Sequence, residues 1–210
     1  MSGNTATGGG LLLMRGLFLL VLLLNVAISG YHRRRARARE TIPRSAEPPA
    51  LQRARVLFTL PGLLVMLAFI LYPRLVAWAT LDVPEWVRWA GVALGLALAP
   101  ANWWVLTTLG ANVSETVLTK RTHQLVTTGP YRYVRHPLYT TGVLLLVALS
   151  LIAANWLLAG LAVAGLWLFL RVIIPREETA LAAAFGERYE IYRRQTGRLL
   201  PRIGRRAPAA

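Results

Sequence analysis

The chain has 210 residues, of which 55% are hydrophobic, and it carries a formal net charge of +15 at pH 7. It contains no cysteine, which excludes a disulfide framework, a catalytic thiol and a zinc–thiolate site. Its three histidines, at positions 32, 123 and 136, form no helical metal-binding pair, so we expect no metal. In so apolar a chain, the excess of basic residues indicates membrane topology rather than nucleic-acid binding.

The first apolar run covers residues 11–30, after a small, polar stretch that we expect to be a disordered tail. At about 1.5 Å per residue, the run is long enough to span roughly 30 Å of hydrocarbon. A secretory signal peptide is the alternative, but the run lacks a basic start and a small-residue cleavage pattern. A basic stop-transfer sequence follows, so residues 1–30 are predicted to be a tail and a retained transmembrane helix.

Residues 31–55 are predicted to be a basic linker with no core of its own. They include eight arginines and three prolines. Such a segment is typical of the cytoplasmic side of a membrane, where anionic lipid headgroups attract it. Nucleic-acid binding is not expected, because no aromatic residues are interleaved among these arginines.

Residues 56–109 contain two further apolar runs, which predict transmembrane helices 2 and 3. Pro61 and Pro73 interrupt the first run, and a short polar turn precedes the second. Trp103 and Trp104 lie near the end of the second run. Paired tryptophans favour a position at the membrane interface, with the wall of a lipid groove as the alternative.

A nearly unbroken apolar run of 37 residues, 138–174, lies in the last part of the chain. At about 1.5 Å per residue it would extend roughly 55 Å, which indicates two short crossings rather than one. We place the turn of this transmembrane hairpin at residues 153–156. The two ends of the hairpin then lie on the same side of the membrane.

The basic residues predict a topology. With five helices, 21 of the 24 Lys and Arg residues lie in segments 31–55, 110–137 and 171–210, which face one side. The positive-inside rule makes that side cytoplasmic and places the N-terminus outside. After the last run, Leu181, Phe185, Tyr189 and Tyr192 recur at helical spacing. The predicted fold is therefore all-α and integral to the membrane, with about five transmembrane helices and a cytoplasmic amphipathic C-terminal helix.

Residues 129–139 read GPYRYVRHPLY and form a polar, cationic stretch between two apolar runs. Pro130 and Pro137 push the residues before them out of helical conformation, so Gly129 and His136 are expected to be extended. Pro137 is well placed as the first residue of the next helix, whose free backbone donors favour anionic groups. The alternative is a cytoplasmic loop whose arginines contact lipid phosphates.

A second polar stretch, residues 175–201, follows the hairpin directly. The hairpin returns Glu177 and Glu178 to the side of the membrane on which Arg135 and His136 lie. We therefore expect these four side chains to lie close together. The alternative for the two glutamates is capping of a helix N-terminus by acidic residues.

Arg171 lies near the end of the predicted fifth helix. Pro175 cannot donate a hydrogen bond to the Arg171 carbonyl, so the helix is expected to kink or restart there. If helical geometry continued, Arg171 and Glu178 would share a face. The alternative for Arg171 is a side chain that extends to the lipid headgroups.

Together the two polar stretches resemble the integral membrane methyltransferases that include the isoprenylcysteine carboxyl methyltransferases and the bacterial phospholipid methyltransferases. The motifs that carry the resemblance are GPY, RHP followed by Leu-Tyr, a Glu-Glu pair, Phe-Gly-Glu-x-Tyr-x-x-Tyr and a final Pro201. The upstream sequence LGANVSETV and His123 are also similar to this family. The resemblance covers roughly residues 100–203.

The resemblance implies that residues 110–210 are the catalytic half of an S-adenosylmethionine-dependent methyltransferase. It implies a lipophilic acceptor that enters from the bilayer, either an isoprenylcysteine-type carboxylate or a phospholipid amine, with a small thiol also known in the family. The cofactor-binding residues that it implies are Tyr131, His136, Pro137, Leu138, Tyr139, Glu177 and Glu178. The catalytic residues that it implies are Arg135, Arg171 and Glu178.

The resemblance leaves two assignments open. It does not separate cofactor contacts from acceptor contacts for Tyr131, Arg135 and Arg171, and it does not say which glutamate of the pair contacts the cofactor. A soluble methyltransferase domain is not expected, because the sequence has no glycine-rich Rossmann fingerprint.

Two other classes of protein remain as alternatives. A sterol-type, NADPH-dependent membrane reductase could share a similar C-terminal half, although it would need a longer chain with more spanning helices. In a non-catalytic membrane protein, the two polar stretches would only set the topology. The bias towards arginine over lysine points to a bacterial source, so we expect an inner-membrane protein whose active site faces the cytoplasm.

Overall fold

The computed structural model describes residues 8–38, 47–113 and 124–202. Within these ranges the chain is helical, and its strand-like pairing consists of two isolated bridges, Thr80–Asn155 and Val134–Gly197. The α-helices are, in chain order, α1 (Gly8–Arg37), α2 (Pro49–Leu71), α3 (Glu85–Leu109), α4 (Pro137–Ala153), α5 (Trp156–Leu168), α6 (Ile174–Phe185) and α7 (Glu187–Gln195). A π-helical turn, Phe169–Ile173, joins α5 to α6.

The described chain has the helices of an integral membrane protein. Four stretches are long and apolar enough to cross a membrane, and they are Gly9–Arg37, Pro49–Leu71, Glu85–Asn112 and Trp156–Phe185. α4 is a shorter apolar helix of 17 residues, which extends about 26 Å at 1.5 Å per residue. The prediction of an all-α integral membrane fold is confirmed, and the five predicted spans correspond in position to these four stretches and α4.

The hydrophobic core lies where α1, α3, α4 and α5 meet. Its buried side chains include Phe18, Leu149, Ile152 and Leu158. Gly91 of α3 lies so close to α4 that a Cβ atom there would be 2.7 Å from the Cβ of Leu151. Small residues allow this close approach of helix backbones, which is how membrane helices gain packing energy.

The segment predicted as a linker without a core is helical at both ends. α1 continues to Arg37 and α2 already begins at Pro49. Arginine and alanine are good helix formers, so the helices extend beyond their apolar runs. Ala36 lies in one buried cluster with Leu106, and Leu51 lies in another with Leu168, so both ends of the linker contribute to buried clusters.

The turn between α4 and α5 lies where the sequence predicts it. Ala154 has a left-handed backbone (φ 48°) that ends α4. The side chain of Asn155 accepts hydrogen bonds from the backbone of Leu157 and Leu158 and so caps α5. It also donates to the carbonyl of Val76. The hairpin therefore returns the chain to the end of the bundle at which α4 begins.

The sequence predicted a kink or a restart of the helix at Pro175, and the structure has a π-helical turn just before this residue. The wider π-helical turn carries the helix onwards, and Ile174 N donates to the carbonyl of Phe169, five residues earlier. This turn accommodates the missing donor of Pro175 without ending the helix. Arg171 is exposed whereas Glu178 is buried, so the two residues do not share a face.

Candidate active site

The RHP motif is held by backbone pairing with the end of the tail. Arg135 N donates to the carbonyl of Gly197 (2.8 Å), and His136 N donates to the carbonyl of Arg198 (3.0 Å). The hydroxyl of Thr140 donates to the carbonyl of Leu199 (2.9 Å). This pairing fixes the position of the RHP motif relative to α6 and α7.

Arg135 and Glu178 form the buried centre of the site. The Nε and Nη2 atoms of Arg135 donate to Glu178 Oε1 over 3.1 and 3.0 Å. Its Nη1 atom donates to the carbonyl of Arg193 (2.9 Å) and to that of Thr196. Arg198 Nη2 donates to the second oxygen, Glu178 Oε2, over 2.8 Å. Both oxygens of this carboxylate are therefore engaged by guanidinium groups.

The His136 imidazole lies between the two glutamates. Its Nε2 atom is 3.3 Å from Glu178 Oε1, and its Nδ1 atom is 3.7 Å from Glu177 Oε2. The side chain makes no capping hydrogen bond to α4. Carboxylates of the protein are therefore the charged neighbours of His136, and its role towards an anionic ligand stays a prediction.

Glu177 is the more accessible carboxylate of the pair. Its side chain is 30% exposed, compared with 6% for Glu178. The Tyr139 hydroxyl donates to Glu177 Oε2 over 2.8 Å. The Tyr139 ring packs against the rings of Phe169 and His136, with centroids 4.6 and 5.7 Å apart. Tyr139 therefore connects the glutamate to the membrane-embedded helices.

Tyrosines of the tail close the other side of the site. The Tyr192 hydroxyl donates to the carbonyl of Tyr131 over 2.7 Å. Burial raises the pKa of the Tyr131 and Tyr192 phenols, so the Tyr192 hydroxyl keeps the proton that it donates. The Tyr189 hydroxyl and Thr196 Oγ1 are buried without a hydrogen-bond partner among the described residues.

The remaining predicted site residues differ in their positions. Pro137 is buried as the first residue of α4, as predicted. Leu138 packs against the buried cluster that contains Leu106. Arg171 lies exposed in the π-helical turn, and no described contact brings it to the glutamates. His123 lies outside the described residues.

The backbone of Gly129 is not extended, contrary to the prediction from the sequence. It has a left-handed φ of 57°, and the extended residue is Thr128, with φ −100° and ψ 173°. Glycine adopts positive φ without steric cost, so the chain can enter the 3₁₀-helical turn Gly129–Arg132 there. A Cβ atom at this position would also lie 2.9 Å from Thr108 Oγ1.

Two cavities border the site. A cavity of about 500 Å³ is lined by Arg135, Arg193, Arg194, Arg198 and Arg202. A second cavity of about 540 Å³ lies between the membrane helices and is lined by residues that include Tyr139, Leu145, Leu168, Asn25, Ser29 and Asn102. We call it the Tyr139 cavity. Among the described residues, no group of three His, Cys, Asp or Glu side chains could hold a metal ion.

The sequence of the site-forming segment matches a known family. A profile of the isoprenylcysteine carboxyl methyltransferase (ICMT) family matches residues 91–183. This range includes the RHP motif and both glutamates. Residues 91–183 of this chain are therefore similar to the isoprenylcysteine carboxyl methyltransferase family. The resemblance predicted from the sequence is confirmed, whereas α7 and its arginines lie beyond the match.

Individual proteins are similar to parts of this chain. The chain is 35% identical over 96 residues to a protein-S-isoprenylcysteine O-methyltransferase of Schizosaccharomyces pombe, which covers 45% of this chain and 41% of that protein. It is 36% identical over 77 residues to a methanethiol S-methyltransferase of Crocosphaera subtropica, which covers 37% of this chain and 29% of that protein. The chain thus spans less than half the length of the curated relatives it matches.

A solved structure shows that the fold is shared with the family. The chain aligns with the eukaryotic intramembrane Ras methyltransferase ICMT with a TM-score of 0.51 and 24% sequence identity. The alignment covers 76% of this chain and 54% of the eukaryotic protein. The shared fold therefore extends beyond the segment that matches the family profile.

Proposed function

We propose that this protein is an integral membrane S-adenosylmethionine-dependent methyltransferase that acts on a lipophilic acceptor. One observation carries the proposal. Arg135, His136 and Tyr139 of the RHP stretch contact Glu177 and Glu178, in the family segment, at the end of a membrane hairpin.

The residues present fit this cofactor by the chemistry of their donors and acceptors. S-adenosylmethionine carries an ammonium group, a carboxylate, a ribose diol and an adenine ring. Glu177 could accept hydrogen bonds from the ammonium group or the diol, while the arginine-lined cavity could hold the carboxylate. Tyr139 offers stacking, and the buried, unpaired polar groups of Tyr189 and Thr196 in the tail offer further hydrogen bonds.

When bound, the cofactor supplies an electrophilic methyl group for in-line displacement by a carboxylate, amine or thiol. The protein contributes position and electrostatics. Arg135 and Arg198 hold Glu178 rigidly, because both of its oxygens accept guanidinium donors. His136 and Tyr139 orient Glu177, which leaves this carboxylate poised at the edge of the site.

A lipophilic acceptor is supported by the Tyr139 cavity. This cavity lies between membrane helices, and its volume of about 540 Å³ is within the usual range for ligand pockets. The related proteins are named for isoprenylcysteine and methanethiol. A cavity of this size favours a large acceptor, an isoprenylcysteine-type carboxylate or a phospholipid amine, over a small thiol.

The proposed orientation places the active site in the cytoplasm. We expect the basic segments 31–55, 110–137 and 171–210 to face that side, where anionic lipid headgroups would attract them. We propose the bacterial inner membrane as the location, with residues 110–210 as the catalytic half.

A ligand titration tests the proposed function. Detergent-purified protein is titrated by calorimetry with S-adenosylhomocysteine and, separately, with NADPH. We expect saturable binding of S-adenosylhomocysteine and none of NADPH. Binding of NADPH alone would identify a reductase, and binding of neither would favour a non-catalytic membrane protein.

A further inference from the structure

Asn102 of α3 is a buried amide with one unpaired end. Its side chain lines the Tyr139 cavity, and the residue is 6% exposed. The Nδ2 atom donates to Ser29 Oγ of α1 over 3.2 Å. The Oδ1 atom is buried and has no hydrogen-bond partner among the described residues. Buried polar atoms are almost always paired in folded proteins, so this atom indicates a ligand group.

The Asn102 side chain is not needed to hold α1 against α3. Asn25, one turn along α1, donates to the carbonyls of Val21 (3.0 Å) and Gly95 (3.3 Å) and so already joins the two helices. Ser29 can donate as well as accept, so the Asn102 amide could be turned by 180°. In either orientation one polar end of the amide is left unpaired beside the wall of the Tyr139 cavity, and a small rotation of the side chain would bring it to either a donor or an acceptor in the cavity.

The depth of Asn102 relates it to the proposed reaction. Leu138, beside Tyr139 at the start of α4, packs in one cluster with Leu106 of α3. Asn102 precedes Leu106 by one helical turn, or about 6 Å along the helix axis. Its amide thus lies about one turn deeper in the membrane than the end of the cavity that reaches Tyr139.

We propose that Asn102, positioned by Ser29, determines acceptor specificity by hydrogen bonding to a polar group of the acceptor close to its reacting end. An amide or a hydroxyl group at that position would pair with the asparagine. A lipophilic acceptor that lacks such a group would leave the buried amide unpaired and bind more weakly. This assignment rests on the proposed function only in naming the ligand of the cavity as the acceptor.

A matched pair of probes tests the assignment. N-acetyl-S-farnesylcysteine and S-farnesylthiopropionate share a farnesyl thioether and a carboxylate, and they differ in one acetamido group. Their affinities for the detergent-purified full chain are measured by calorimetry without cofactor. We expect the amide-bearing probe to bind about tenfold more tightly to the wild-type protein. In Asn102→Leu the two affinities should become equal, and Ser29→Ala should reduce the preference partially.

Asn155→Ala provides the matched control. Asn155 is also a buried asparagine, but it caps α5 at the opposite end of the hairpin. This variant should melt at a lower temperature and keep the wild-type preference. Equal binding of both probes to the wild type, absence of binding by either, or an unchanged preference in Asn102→Leu would overturn the assignment. Failure of S-adenosylhomocysteine to bind, with the preference intact, would count against the methyltransferase instead.

Discussion

Arg135 and Glu178, which are 43 positions apart in the chain, form a buried ion pair that joins the RHP motif to α6. Removal of one partner would leave an uncompensated buried charge, which is strongly destabilising. Glu177, by contrast, is partly exposed and accepts a hydrogen bond from the hydroxyl of Tyr139. The two adjacent glutamates therefore have different roles, with Glu178 holding the site together and Glu177 available to a ligand.

The first prediction compares Glu178→Gln with Glu177→Gln. Glu178→Gln should destabilise the fold by on the order of 3–5 kcal/mol, because Arg135, Arg198 and the His136 imidazole lose their shared carboxylate. Glu177→Gln should keep the wild-type melting temperature and bind S-adenosylhomocysteine about tenfold more weakly. Melting curves and titrations on the same preparations measure both effects.

Glu190→Gln is the control for this comparison. Glu190 pairs with Arg193 on the partly exposed surface of α7, and such pairs contribute little to stability. The variant should match the wild type in melting temperature and affinity. If both glutamates of the pair gave the same mild effects as Glu190, they would not form a ligand site.

The second prediction concerns the hydroxyl of Tyr139. Tyr139→Phe keeps the ring against Phe169 and removes the hydrogen bond to Glu177. The loss of about 0.5–1.5 kcal/mol should weaken S-adenosylhomocysteine binding by roughly three- to tenfold, with little change in melting temperature. Tyr133→Phe is the matched control, because Tyr133 is half exposed. If Tyr139→Phe bound S-adenosylhomocysteine as tightly as the wild type, the Tyr139 hydroxyl would not orient Glu177 for the ligand.

The third prediction tests the attachment of the tail. A Cβ atom at Gly197 would collide with the carbonyl oxygen of Leu200. Gly197→Ala should therefore displace the backbone that accepts from Arg135 N, and both stability and cofactor affinity should fall. Gly142→Ala is the control, since nothing lies within 4 Å of a Cβ atom there. Limited proteolysis of residues 196–202 measures the detachment, and equal resistance of both variants would contradict it.

The hairpin and the meeting of its two ends could be predicted from the sequence. Pro137 sets the start of α4, and an apolar run of 37 residues is too long for one crossing. Those two constraints place Glu177 and Glu178 beside Arg135 and His136 without any knowledge of packing. The position of Arg171 could not be predicted, because the π-helical turn changes the register between Arg171 and α6.

The pairing between the RHP motif and the tail was missed for a physical reason. Backbone hydrogen bonds such as that from Arg135 N to Gly197 have no side-chain pattern, and a lone glycine after a helix is common. The polar wall of the Tyr139 cavity did leave a signal. Asn25 and Asn102 are isolated polar residues in transmembrane helices, and such residues are usually functional or paired.

The fourth prediction tests the topology by cysteine labelling. The chain has no native cysteine, so only the introduced cysteine can react. Single cysteines at Ser45, Thr122 and Gln195 should all be shielded from an impermeant thiol reagent in intact cells. Gln195 is chosen because it is exposed at the end of α7, whereas its neighbour Thr196 is buried and would be shielded on either side.

Asp82→Cys, in the exposed turn before α3, is the positive control and should be labelled from outside. Each shielded cysteine should become reactive once the membrane is permeabilised. Labelling of Gln195→Cys in intact cells would place α7 and the glutamate site on the outer side, and it would remove the cytoplasmic supply of cofactor on which the proposed activity depends.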